Sequence, residues 1–173
     1  MCSGQNRVAG TMLCRVHAVA QKGRLHRREM EGRVSISTSV DGDYHEYRIS
    51  ALICSASASG CNSAYADKVY EHVNANDIPL TSNDLTTGFH ILGPAKDPIT
   101  HTQNLLTRTS VNIAEKGHTF YPGSVSHQVH FRNGGLYYDL TGVGTGSMPG
   151  FNNFVGAVLF RPNVSSAVKK FGF

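Results

Sequence analysis

The dipeptide Asn133-Gly134 stands between two runs, "SVSHQVHF" and "LYYDLTGV", in which apolar and polar residues alternate. Asn-Gly accepts positive φ at both central positions of a two-residue turn, and such a turn matches the twist of the strands it joins. The stretch is therefore predicted to be an antiparallel hairpin over about residues 124–141, and the hairpin decides which side chains share a face. Phe131 then stands opposite Leu136, Val129 opposite Tyr138, and His127 opposite Leu140 on one face. On the other face His130 meets Tyr137, Gln128 meets Asp139, and Ser126 meets Thr141. This register makes His127 a core or core-edge histidine. It places His130 in a row of hydrogen-bonding and titratable groups with Tyr137, Asp139 and Thr141, where a plain solvent face would carry Lys and Glu.

A second hairpin is predicted over about residues 33–49, in "RVSISTSVDGDYHEYRI", with Asp41-Gly42 as its turn. That choice pairs Val40 with Asp43, Thr38 with His45, Ile36 with Tyr47 and Val34 with Ile49, and turns this face to the core. Ser35, Ser37, Ser39, Tyr44, Glu46 and Arg48 form the wet face. Between the hairpins, "NSAYADKVYEHVN" reads as a helix from about Asn62 to Asn74. Asn62 or Ser63 caps it, Ala66, Val69, Tyr70 and Val73 recur at helical spacing, and His72 near its end suits the dipole as a cation. Residues 75–108, with Pro79, Pro94 and Pro98, read as a long irregular segment of the kind used for lids or binding loops. The last 23 residues read as an apolar segment followed by a short helix after Pro162. The expected fold class is α+β: a largely antiparallel sheet built from two hairpins, with one or two packed helices.

A length of 173 residues fits one domain with a sizeable core, and no apolar run approaches the roughly 20 residues of a membrane span. The formal charge of +4 is unevenly placed. Residues 1–33 hold seven Lys/Arg against two Glu, whereas residues 34–173 hold nine basic and ten acidic residues. Residues 1–33 are thus a basic arm for nucleic acid or an acidic partner, or a solvated linker, and residues 34–173 form one domain. Cys54 and Cys61 bracket "SASASG", a loop that suits either a disulfide or two free thiols; no spacing among the four cysteines is that of a zinc site.

The chemistry-bearing residues crowd into 117–146, which holds three of the nine histidines. His118 enters the second hairpin ahead of a Pro122-Gly123 turn. Two imidazoles flanking a phosphodiester act as general base and general acid near neutral pH. His118 and His130 are the candidate pair, with Arg108 stabilising phosphorane charge, and Tyr137 and Thr141 in support. Gly142, Gly144 and Gly146 suit a close backbone approach to a ligand, as in an anion nest, although the end of a P-loop is missing. His127 and His130 point to opposite faces and so share no metal ion; no metal or other cofactor is expected. A further reading is non-enzymatic: a Tyr- and His-rich face that binds a protein or glycan.

The runs "ADKVYEHVNANDIP", "RTSVN", "GHTFYPGSVSHQVHF", "NGGLYYDLTGVGTG" and "FNNFVGAVLFRP" resemble C-terminal toxin domains of bacterial polymorphic toxins of the Rhs and filamentous-haemagglutinin (contact-dependent inhibition) type. The resemblance spans roughly residues 54 to 165. The DPxGL and VENN motifs that precede such domains are missing, as is the deaminase signature H-x-E with P-C-x-x-C. The resemblance implies an antibacterial effector, secreted or delivered into the cytoplasm of a target bacterium and neutralised by a cognate immunity protein. Its implied substrate is RNA, cleaved without a metal, or alternatively NAD, consumed by a glycohydrolase or ADP-ribosyltransferase-like activity with Asp139 as the placed carboxylate and Tyr137 beside it; no membrane partner is expected.

Overall fold

A computed structural model of the chain describes residues 33–79, 85–145 and 149–173, with side chains from residue 152 onward in the last stretch. The elements run β1 (Val34–Asp41), β2 (Tyr44–Ser55), α1 (Ser63–Asn74), β3 (Gly88–Leu92), β4 (Asp97–Asn104), β5 (Thr109–Ala114), β6 (Gly123–Arg132), β7 (Gly135–Thr145) and α2 (Pro149–Phe171). The strands form one antiparallel sheet in the order β1-β2-β7-β6-β5-β4-β3, and the fold class is α+β as expected. The arm predicted over residues 1–33 lies, Arg33 apart, outside the described residues.

Asn133 and Gly134 have φ of 47° and 74°, and the β6–β7 register is the predicted one, His130 opposite Tyr137 and His127 opposite Leu140. At the first hairpin the turn moves by one position. Gly42, at φ 58°, takes the first central place, so Asp41 pairs with Tyr44 and Val40 with His45. Glycine with positive φ at that place suits a type II′ turn, whereas the prediction set it second, as in Asp-Gly type I′ turns. The pairing shifts by two residues, so each side chain keeps its predicted face. β1 is nevertheless an edge strand whose apolar face is poorly covered: Ile36 and Val40 are exposed, while Ile49, Ala51 and Ile53 of β2 are fully buried.

Two further expectations are corrected. The segment predicted to be irregular contains β3 and β4, and Asn104 and Thr109 already pair as β4 meets β5. Gly93 and Lys96 supply positive φ at the β3–β4 turn, 56° and 55°, and Arg108 supplies it at the β4–β5 turn, 50°. The C-terminal stretch is a single 23-residue helix with Pro162 inside it. An internal proline costs about 3 kcal/mol. Burial on both sides of it offsets that cost: Gly156 on one side, Val164, Ala167 and Val168 on the other.

α1 forms as predicted, the Asn62 side chain accepting from the Tyr65 N–H at 3.0 Å. His72 departs from its expected role. Burial and the neighbouring Lys170 lower its pKa, and Lys170 Nζ lies 3.3 Å from its Nδ1, so it is no dipole-capping cation at neutral pH. Cys54 and Cys61 are joined in a disulfide. A loop this short limits the entropic stabilisation to about 2–3 kcal/mol.

The core has two unequal halves. Toward the Gly135 end of β7, Ile53, Leu136 and Val129 pack solidly against Ala66, Val69 and Val73 of α1 and Val164, Ala167 and Val168 of α2. Toward the other end, where β2, β4 and β6 begin, the sheet and the first half of α2 leave a space between them.

Candidate functional site

The outer sheet face gathers most of the predicted site. His130 Nε2 lies 2.7 Å from Asp139 Oδ2. Arg132 donates to both oxygens of the same carboxylate, at 3.1 Å from Nε and 3.0 Å from Nη2, and its guanidinium lies 3.8 Å above the Tyr137 ring. Ser50, from the neighbouring β2, donates to Asp139 Oδ1 and accepts from Arg132 Nη2 at 2.6 Å. Thr141 is on the same face, its carbonyl accepting from the Ser126 hydroxyl. Burial pushes the Asp139 pKa up, but the hydrogen bonds from Arg132, Ser50 and His130 outweigh it and hold the carboxyl below its ordinary value.

This cluster is ordered around a saturated carboxylate. Asp139 stands between Ser50 and His130, whereas a nucleophilic triad needs the imidazole between hydroxyl and carboxylate. Each Asp139 oxygen is engaged twice, Oδ1 by Ser50 and Arg132 and Oδ2 by His130 and Arg132. Arg108 is also committed. Its Nε donates to Asp67 at 2.7 Å and its Nη2 to Ser63, tying the β4–β5 turn to α1.

His118 is not part of the cluster. It lies in the β5–β6 loop on the inner side of the sheet, where it lines the space under α2. The start of β6 at Gly123 is seven residues from His130, roughly 23 Å at 3.3 Å per residue. His130 also faces the opposite way. The structure therefore does not bring His118 and His130 to one phosphodiester, because the register that defines His130's face also turns it away from the cavity.

The cavity itself, of about 350 Å³, is the feature that sequence reasoning missed. Its walls are mainly apolar: Leu92, Pro94 and Ile99 on the β3–β4 side, Ala114 and Val125 on the sheet, Leu159 and Phe160 on α2. Tyr47 and His45 of β2 form the opposite side, with Asn112 in the floor and His118 and Phe120 in the β5–β6 loop. Asn152, in the first turn of α2, completes the lining, and the adjacent Asn153 donates to the Ser39 carbonyl at 2.9 Å, anchoring this end of the helix to β1.

The glycines after β7's centre have a different role from the expected anion nest. Gly142 lies opposite Tyr47 and Gly144 opposite His45 in the β2–β7 ladder. A Cβ on Gly142 would overlap the Tyr47 ring, and one on Gly144 would lie 2.8 Å from His45 Nε2. These glycines leave room for two aromatic rings on the inner face. Gly146 lies outside the described residues.

Behind the cavity floor lies a buried polar layer. Asn112 Oδ1 faces His101 Nδ1 at 2.8 Å, and Asn112 Nδ2 donates to Asp77 Oδ2 at 3.2 Å. His101 Nδ1 is 3.4 Å from the same Asp77 oxygen, so it carries the ring proton. His127, fully buried as expected, hydrogen-bonds the Tyr138 hydroxyl through Nδ1 at 2.7 Å. Among the described residues no cluster of three or more His, Cys, Asp or Glu suits a metal ion.

No family model and no curated protein matches the chain. Solved structures similar to it include Ara h 8.0201, at 8% identity and a TM-score of 0.39 over 74% of this chain and 97% of that one. Another is CalU16 from Micromonospora echinospora, at 10% identity and a TM-score of 0.41 over 80% of this chain and 94% of that one. Likenesses this distant carry no inference about the chemistry of this chain.

Proposed function

We propose that this chain binds one small, largely apolar molecule between its sheet and α2. The observation that carries this reading is the cavity: about 350 Å³ of space in the core, walled by apolar side chains and edged by a few hydrogen-bonding groups. That volume and lining are those of small-molecule sites, and an apolar ligand entering it removes its own surface from water. Cores without a ligand to hold are packed to near crystal density, whereas concave, mostly apolar spaces of this size are where small molecules bind.

An environment-sensitive fluorophore, 8-anilinonaphthalene-1-sulfonate, reports occupancy. The wild type is expected to bind it with 1:1 saturation and to release it to competing aromatics. Leu159→Trp fills the cavity from α2, and Ala114→Phe fills it from the sheet. Each is expected to weaken binding at least tenfold while the fold persists by circular dichroism. Unchanged binding in both variants would exclude the cavity as the site.

A second reading is an antibacterial effector of the polymorphic-toxin kind, with an immunity protein as partner. It rests on the resemblance of "GHTFYPGSVSHQVHF" and "NGGLYYDLTGVGTG", which build β6, β7 and the loop before them. Such an effector would act through groups other than a His118–His130 pair. Induced expression of the full chain in a bacterial cytoplasm tests it: growth arrest is expected, and normal growth at high expression contradicts it.

A further inference from the structure

We infer that two copies of this chain join through the free edges of β1, which pair antiparallel about a two-fold axis at Ser37 and merge the two sheets into one. β1 is the first strand of the sheet, and among the described residues only β2 pairs with it. Every residue from Ser35 to Asp41 is exposed, Ile36 and Val40 among them at 44% and 53%. Sheet edges that stay unpaired usually carry a proline, a lysine or a bulge. β1 has none of these: it reads VSISTSVD and keeps one continuous register with β2.

The ladder fixes which backbone groups face outward. The Leu52 N–H donates to the Arg33 carbonyl at 3.0 Å, so Arg33 and Leu52 form a hydrogen-bonded pair. Such pairs alternate along an antiparallel ladder, so Ser35, Ser37, Ser39 and Asp41 turn their N–H and C=O groups to β2. Those of Val34, Ile36, Thr38 and Val40 point away from the sheet. Asn153 donates to the Ser39 carbonyl, one of the groups that face β2, and leaves the outward row untouched.

A second copy matches this row. Antiparallel pairing about Ser37 sets Val34 opposite Val40 of the second copy and Ile36 opposite its Thr38, each pair exchanging two hydrogen bonds. The same pairing brings these β-branched side chains together on the inner face, where Ile36 and Val40 otherwise lie bare. Charge sets the register. The edge carries opposite charges at its two ends, Arg33 and Asp41, and pairing about Ser37 puts Arg33 of each copy opposite Asp41 of the other. The alternative about Thr38 also joins outward groups to outward groups, but it sets Asp41 opposite Ser35 and leaves both charges without a counterpart. A contact of this kind is isologous and closes at the dimer.

Sedimentation velocity of the full-length protein tests the inference. A small interface of this kind fits a Kd of roughly 10 µM, so the wild type is expected to be mostly dimeric at about 100 µM. Thr38→Pro removes one outward N–H and no bond to β2, so it should sediment as a monomer with an unchanged circular dichroism spectrum. Two cysteine variants check the register without relying on that one. Ser37→Cys stands opposite its own copy in a non-hydrogen-bonded pair, where side chains approach closely, and should give a reducible dimer under mild oxidation. Ser35→Cys, opposite Ser39, should give no more than the wild type does with its own cysteines. A wild type that is monomeric at that concentration overturns the inference and leaves the edge to a strand from another protein. So does a dimer that persists in Thr38→Pro, or one that Ser35→Cys links as readily as Ser37→Cys.

Discussion

Gly142→Ala is expected to lower the unfolding free energy by about 3 kcal/mol and to abolish ligand binding in the same step. Tyr47 is held on two sides by glycines, Gly142 across the ladder and Gly156 on α2, and an added Cβ at either position overlaps its ring. The ring is 5% exposed and cannot swing out to solvent, so the open space left to it is the cavity. One methyl group therefore strains the core and occludes the site together. Chemical denaturation gives the first effect and fluorophore titration the second. Adding Tyr47→Ala removes the clashing ring, so the double variant should be more stable than the sum of the two single losses predicts. Strict additivity would show that the two positions do not compete for the same space.

The second large effect is expected of Asp77→Asn in mild acid, where the wild type balances two buried groups of opposite sign. Burial, and then the nearby His101, push the His127 pKa from 6.5 down to about 3. Between those values the unfolded chain binds a proton that the folded chain refuses. Its contribution is therefore present above pH 6.5 and lost as pH falls, by about 1.4 kcal/mol per unit. Asp77 acts in reverse: burial raises it to about 6, against the lowering influence of His101 and of the hydrogen bond from Asn112. Its contribution is full below the unfolded value, roughly 3.9, and is lost as pH rises through about 6. The two offset each other from about pH 6 to about pH 4, and below that His127 alone continues to destabilise.

The wild type should thus hold a nearly level stability down to about pH 4 and then fall steeply. Asp77→Asn keeps the size of the side chain and removes the compensating proton. Between neutral pH and pH 4.5 it should lose about 2 kcal/mol more than the wild type does. Urea unfolding at pH 7, 5.5 and 4.5 separates the two profiles. Parallel curves would mean that Asp77 does not take up its proton in the folded state over this range.

Local rules carried the sequence reading a long way. The Asn133-Gly134 turn set the β6–β7 register to the residue, and with it the buried state of His127 and the clustering of His130, Tyr137 and Asp139. Asn62 and the 62–74 periodicity gave α1. Strands β3 and β4 escaped notice because β3 is only five residues long, because Pro98 and polar residues interrupt the alternation of β4, and because Arg108, a non-glycine, supplies the positive φ of the β4–β5 turn. The two partners that complete the outer cluster, Ser50 and Arg132, were on the right faces of their strands. Ser50 joined Asp139 only because β2 lies beside β7, a pairing across 89 residues.

What the sequence determined by itself is therefore everything that depends on a few neighbouring residues: turn chemistry, the alternation of faces, the capping of α1. Only the tertiary structure decided that His118 and His130 stand apart, and that Tyr47 and His45 rest on Gly142 and Gly144. It alone decided that α2 crosses the sheet so as to leave a cavity at one end and a solid core at the other. The physical reason is that a strand's period assigns each side chain a face but not the neighbour opposite it. A cavity is a property of what several distant segments together fail to fill.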